Sequence, residues 1–205
     1  IMSFFSSPEE DSISSITCKQ FFACYNAIMK DKKLSEKNIL LKITTRGGDV
    51  GFALSIANCL AKHKEGKVVV EIDRFAFSGG TLIAIAADEI RMNSWSVLGP
   101  VDPQVNGFLP AKNVVGLLAN GFWEGLVKKT CSDLMLKYHH SLRRVLDYRF
   151  EKQRHRDKEE SEEKNNDYEK KIRNIVDVVC ADDATHCIPL LYDDIKDVLV
   201  VKLIQ

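Results

Sequence analysis

Apolar residues recur every three or four positions between 15 and 30, at Phe21, Phe22, Tyr25, Ile28 and Met29, and predict an amphipathic helix. Residues 38–43 are a short apolar run of strand length, and 44–50, which holds Gly47-Gly48, reads as a loop. Helical spacing returns over 51–63 through Phe52, Ala53, Ile56, Ala57 and Leu60. Gly66 closes that unit, and the β-branched run 67–72 is a second strand. Residues 78–87 are small and apolar, the composition of a buried helix, and 89–92 is a third short strand. Three strands alternating with helices inside 38–92 predict right-handed βαβ crossovers, hence an α/β fold with a mostly parallel sheet flanked by helices.

Further on, Leu134, Tyr138, Leu142, Val145, Leu146 and Phe150 mark a long amphipathic helix. Residues 151–171 are almost entirely charged or polar, a solvated helical extension or mobile loop. Helical spacing restarts at Tyr168 and continues through Ile172, Ile175, Val176 and Val179, and 198–204 is apolar enough for a last strand. Residues 1–12 read as a polar tail. No Pro/Gly/Ser-rich linker divides the 205 residues, so a single domain is expected.

Composition narrows the classes of function. Lys+Arg and Asp+Glu both number 29, and a net charge of zero gives no support to a nucleic-acid or anionic-membrane partner. No run of about 18 apolar residues occurs, so no membrane span is expected in this sequence. The start, Ile-Met-Ser-Phe-Phe, leaves room for an anchor upstream in a longer parent. The six cysteines form no CxxC pair and several lie in apolar stretches, which points to reduced, mostly buried thiols and a cytoplasmic, reducing compartment. Without a Walker loop, GxGxxG, HExxH or a zinc-spaced Cys/His set, neither a metal nor another cofactor is expected.

Two glycine-bearing segments leave the carboxyl ends of predicted strands, where parallel sheets host their chemistry. In Phe77-Ser78-Gly79-Gly80-Thr81, Ser78 stands before a small-residue helix, beside unpaired first-turn amides. There Gly79 N–H can face the oxyanion formed when Ser78 attacks a carbonyl. By spacing alone Ser78 is a helix N-cap before it is a nucleophile. Gly47 and Gly48 allow a tight turn, or supply a second oxyanion donor and an edge for an extended peptide. Asp102, between Pro100 and Pro103, fits an Asx-turn as well as a site carboxylate. Of the histidines, His186 lies in a short irregular segment, the best setting for a base, though a loop histidine satisfied by its neighbours fits equally.

Together these blocks resemble one family. Leu40-Leu41-Lys42-Ile43-Thr44-Thr45-Arg46-Gly47-Gly48, the stretch from Phe77 to Ile90, and Leu98-Gly99-Pro100-Val101-Asp102-Pro103-Gln104 look like the serine dehydrogenase proteinase family. Leu109-Pro110-Ala111 and Thr185-His186-Cys187-Ile188-Pro189 fit its pattern too, so the resemblance runs over about 34–202. This Clp-like branch of the serine proteases is also related to signal-peptide peptidase A. The resemblance implies the Clp-peptidase/crotonase-like ββα superhelix and hydrolysis of peptide bonds in a peptide or protein substrate. It further implies a Ser, Asp, His triad in that chain order and assembly into trimers or larger homo-oligomeric rings. Carried over residue by residue, Ser78 is nucleophile, His186 base and Asp102 the orienting carboxylate. Asp102, 24 residues after Ser78, stands about where a Clp peptidase keeps its histidine, and His186 about where it keeps its aspartate. Exchanging the two residue types preserves a His–Asp pair.

Two features depart from the family pattern. Arg46 stands where a proline usually precedes the paired glycines, and the charged insert at 151–167 is longer than usual. Three alternatives stay open at this point. One is a Ser–Lys dyad with Lys112 as base; another is a catalytically inactive Clp-like scaffold or assembly subunit. The third is a crotonase-type acyl-CoA enzyme, which would use two backbone amides and no serine nucleophile.

Overall fold

The computed structural model describes residues 2–3, 12–35, 37–64, 66–102, 104–105, 109–111, 122–157, 162–180 and 189–204. Its centre is a parallel sheet ordered β1 (Met2–Ser3), β3 (Ile39–Thr45), β5 (Val68–Ala76), β6 (Glu89–Met92) and β10 (Val201–Leu203), with β7 (Val97–Leu98) alongside the far end of β5. Every pairing in that sheet is parallel, as the βαβ reading expects. Val68, Val70 and Ile72 of β5 are fully buried because both faces of the strand are covered. Leu41 aligns with Val70, and Val70 with Ile90, so one apolar row crosses the sheet.

The helices cover this sheet. In α1 (Ser15–Lys30), Ser14 caps the first turn through a capping box with Thr17, and Phe21 is buried. After α2 (Lys32–Ser35) and β3 comes α3 (Val50–Lys62), capped by Asp49, whose carboxylate accepts Phe52 N–H at 3.0 Å. The seven residues of α4 (Gly79–Ile85) are all buried, so packing rather than propensity holds so short a helix.

Differences from the sequence expectations sit mostly at element ends. β3 and β5 run on to Thr45 and Ala76, into stretches read as loop, because each continues its ladder to Thr45↔Ala76 past an irregularity at 43–45. Gly47–Gly48 is itself a short strand, β4, parallel to β2 (Ser12–Ile13). Met2–Ser3, inside the stretch expected as a polar tail, adds a strand to the sheet edge. A hairpin of β8 (Gln104–Val105) and β9 (Leu109–Pro110) follows β7.

The long helix α5 spans Phe122–Asp157, so the charged stretch begins as its last turns, and α6 (Glu162–Val179) follows. That stretch is less solvated than its composition implies. Lys152 is only 6% exposed and forms a 3.0 Å ion pair with Asp88, which Arg156 also meets at 3.2 Å. One turn earlier, the fully buried Arg149 guanidinium donates to Ile85 O, the last carbonyl of α4, at 3.1 Å. Val68 N–H completes the cluster by donating to Asp88 at 2.8 Å. A short helix, α7 (Tyr192–Ile195), precedes β10. Among the described residues no helix is long and apolar enough to cross a membrane, and none of the His, Cys, Asp and Glu side chains group as a metal centre. Cys18, Cys24, Cys59 and Cys131 are free thiols, of which Cys24 is exposed.

Candidate active site

Ser78 sits at the junction of β5 and α4 with φ +49° and ψ −110°, and among the described residues it is the one non-glycine with positive φ. A side chain in that conformation costs about 1–3 kcal/mol and persists only where its surroundings impose it. Gly80 N–H donates to Phe77 O at 2.8 Å and Leu82 N–H to Ser78 O at 3.1 Å, and these bonds close the sharp turn. The hydroxyl makes no capping bond to α4. The N-cap explanation for this serine therefore fails. Its hydroxyl lines a cleft of about 610 Å³ together with Gly47, Gly48, Asp102 and Tyr138.

The glycines let this junction close. A Cβ on Gly47 would stand 2.9 Å from Phe77 O and 3.0 Å from Ser78 Cβ. On Gly80 it would fall 2.5 Å from Thr45 Cγ2, so α4 lies directly on the end of β3. Gly47 and Gly48 hold φ of +102° and +146°, values that side chains rarely adopt. The two glycine amides differ in use. Gly47 N–H is engaged, donating to Thr45 Oγ1 at 3.1 Å. Asp49 N–H donates to Ile13 O at 3.0 Å, and the alternation of a parallel ladder then turns Gly48 N–H away from β2. Gly48 N lies 3.9 Å from the position a Cβ on Gly79 would take, so the Gly48 and Gly79 backbones flank one corner of the cleft.

Asp102 reaches the cleft through a braced loop. Gly99 N–H donates to Ala76 O at 2.9 Å, and Thr81 Oγ1, fully buried, lies 2.6 Å from Gly99 O and 2.8 Å from Ala76 O. Thr81 thus staples the loop carrying Asp102 to the helix that begins beside Ser78. Val101 N–H donates to Val179 O at 2.7 Å, and Leu98 and Leu190 exchange both backbone hydrogen bonds. The chain is therefore tied to this loop on both sides of 181–188. His186 falls in that segment and lies outside the described residues, as does Lys112.

Tyr138, read from sequence only as an apolar position of a helix, is the residue the sequence reading missed. It lies on the buried side of α5, 7% exposed, and lines the cleft with Ser78 and Asp102. Burial, then the nearby Cys180 and Asp102, push the phenol well above its ordinary range, so it keeps its proton at neutral pH.

A parallel sheet crossed by a buried helix, with a strained serine at the strand-to-helix junction and paired glycines facing it, defines the class of Clp-like serine peptidases. The chain belongs to the family of ClpP-like SDH-type serine proteinases, whose model matches residues 25–202. Solved structures of the 1510-N membrane-bound stomatin-specific protease share the fold. A serine-to-alanine variant of it aligns with a TM-score of 0.56 at 16% identity, over 95% of this chain and 75% of that one. A lysine-to-alanine variant in complex with a substrate peptide gives 0.55 at 17% identity, over 95% and 71%. Two uncharacterized proteins of Methanocaldococcus jannaschii are 51% identical over 81 residues and 48% identical over 75. Those alignments span 39% and 37% of this chain and only 27% and 25% of the relatives.

Proposed function

We propose that this chain is a serine peptidase that cleaves extended peptide segments through an acyl-enzyme on Ser78. The observation that carries the reading is the strained Ser78 turn, whose hydroxyl caps nothing and opens into the cleft beside Gly48. Ser78 Oγ attacks the scissile carbonyl carbon, the C–Oγ bond forms, and the carbonyl π pair moves onto oxygen. Gly79 N–H and Gly48 N–H stabilise that oxyanion. Gly47 acts sterically, by letting β4 approach the serine turn.

His186 takes the serine proton and returns it to the leaving amine, while Asp102 orients the imidazole and stabilises its charged form. Supporting that assignment, the chain is tied to the Asp102 loop at Val179 and at Leu190, on either side of the segment that contains His186. Water then adds to the ester and frees Ser78. The peptide partner is further supported by the fold shared with a protease solved with a substrate peptide bound. A homo-oligomeric ring, as in Clp-like relatives, completes the proposal.

The test is labelling by a fluorophosphonate, which phosphonylates an activated serine with loss of fluoride. Stoichiometric labelling that disappears in Ser78→Ala is the expected result. A folded wild-type chain that takes up no label refutes the reading in favour of an inactive scaffold, and label retained by Ser78→Ala places the reactive serine elsewhere.

A further inference from the structure

The end of α5 carries more positive charge than the carboxylates around it balance. Arg149 and Lys152 are buried and Arg156 follows one turn on, yet among the described residues only Asp88 ion-pairs with any of the three. Burial pushes the Arg149 guanidinium down to about 10, and Asp88 only partly offsets this. Cations buried in excess of their carboxylates are stabilised by an added anion.

Lys152 and Arg156 also open on a cleft of about 470 Å³, within the roughly 300–1,000 Å³ range of small-molecule sites. Its opposite wall is the carboxyl end of α3, where Lys62 and Lys64 add two exposed ammonium groups. Lys62 rests 4.2 Å from the centre of the Tyr148 ring, and neither lysine ion-pairs among the described residues. Glu151 is the one acidic side chain among the described residues lining the cleft, and it stands 3.9 Å from His155. A chain whose net charge is zero thus concentrates positive charge in one concave place, which bulk composition does not report.

We propose that this cleft binds an oligophosphate, the chain of phosphoryl groups shared by nucleoside triphosphates and inorganic polyphosphate. Lys62 and Lys64 stand on one wall and Lys152, His155 and Arg156 on the other, so a ligand that meets both must carry charge at several points. Lysine supplies a compact charge with three donors and arginine a fork of paired N–H groups, and both suit phosphate oxygens. The concavity favours a small ligand over the broad surface of a nucleic acid or a membrane. No lining residue is shared with the Ser78 cleft, so the proposal stands independently of the peptidase reading. Lys152, at the base, is shared with Asp88, which places the anion against the cluster that fixes the carboxyl end of α4.

The test is calorimetric titration of the full chain, without metal, by inorganic triphosphate and separately by ATP at about 0.1 M salt, where exposed charges are screened beyond about 10 Å. Sulfate at matched ionic strength is the control. One triphosphate per chain is expected, and Lys62→Gln with Lys64→Gln raises its dissociation constant about tenfold. Lys128→Gln with Lys129→Gln removes the same charge from an exposed part of α5 roughly 30 Å away, and should bind within about twofold of wild type. At about a hundred times the dissociation constant, triphosphate raises the wild-type unfolding midpoint by about 5–10 °C. ATP matching triphosphate assigns recognition to the phosphate chain, and tighter binding of ATP adds a contact to the nucleoside; either upholds the site. The site is overturned by absence of saturable binding, by sulfate binding as well as triphosphate, or by an unmoved midpoint. Equal weakening by the two lysine pairs overturns it too, because bulk charge then accounts for the affinity.

Discussion

Replacing Asp88 by Asn removes one negative charge from the cluster that fixes the carboxyl end of α4. The carboxylate is nearly buried and accepts from Val68 N–H at 2.8 Å, from Lys152 at 3.0 Å and from Arg156 at 3.2 Å. Burial raises its pKa, but the Val68 amide and the two cations outweigh that and hold the carboxyl below its usual range. An Asn oxygen keeps the bond to Val68, and the half-exposed Arg156 contributes only about 0.5 kcal/mol. The main loss comes from Lys152, left as an uncompensated buried cation, at about 3–5 kcal/mol. For a chain of this size that corresponds to a fall of roughly 10 °C in unfolding midpoint. Urea titration gives the free energy, and a double-mutant cycle isolates the pair. Lys152→Met alone strands the carboxylate, while Asp88→Asn with Lys152→Met removes both charges and recovers at least about 2 kcal/mol of the summed losses. A loss below about 1 kcal/mol in Asp88→Asn, or strict additivity in the double variant, refutes a buried, coupled pair.

Two further outcomes follow from the same geometry. Glu89, 1% exposed, accepts hydrogen bonds or ion pairs from Lys67, Arg91 and Lys202 at 2.7–2.9 Å. Burial raises its pKa, but those three cations win and hold it at about 2, against 4.5 unperturbed. Because the folded-state value is the lower one, the stabilisation is complete above pH 4.5 and is lost as pH falls toward 2. Its size is on the order of 2 kcal/mol once the solvent around the half-exposed cations is discounted. Acid unfolding of Glu89→Gln should lack that slope between pH 4.5 and 2, and an unchanged profile would rule the assignment out. For the base proposed at His186, His186→Ala should reduce kcat by at least about 100-fold, whereas Lys112→Ala should stay near wild type. The opposite ranking would move the mechanism to a Ser–Lys dyad.

The centre of the sheet was legible because β5 opens on a β-branched run, Val68-Val69-Val70, buried on both faces, and nothing local competes with that pattern. Strand ends were less so. Thr44-Thr45-Arg46-Gly47-Gly48 carries a turn composition, yet tertiary pairing with β5 and with Ser12–Ile13 draws it into two ladders. Two-residue strands have no period to detect. Ser78 was found by its neighbours in sequence, but its positive φ is a property of how Phe77 O, Gly47 and Thr45 crowd the turn. No propensity scale encodes that crowding.

The long helix holds a signal that composition concealed. Tyr138, Leu142, Val145, Arg149, Lys152 and Arg156 are spaced alternately four and three apart, so they form one continuous stripe on α5. Reading stops at Val145 if only hydrophobic residues count, because the remaining members are cations. The structure keeps the stripe facing inward as far as Lys152, for Arg149 and Lys152 are both buried and only Arg156, at its end, is half-exposed. Arg149 holds the last carbonyl of α4 and Lys152 holds Asp88 just beyond it, while Tyr138 lines the cleft that Ser78 opens into just before its first residue. A single helix face thus holds the carboxyl end of the seven-residue helix on which the candidate nucleophile depends and lines the cleft at its other end. That explains why so short and so strained a segment stays ordered. A buried cation at a stripe position has to be matched by a carboxylate brought from elsewhere in the chain. Asp88, which follows an apolar helix with no cation within two residues, was the place to look for it.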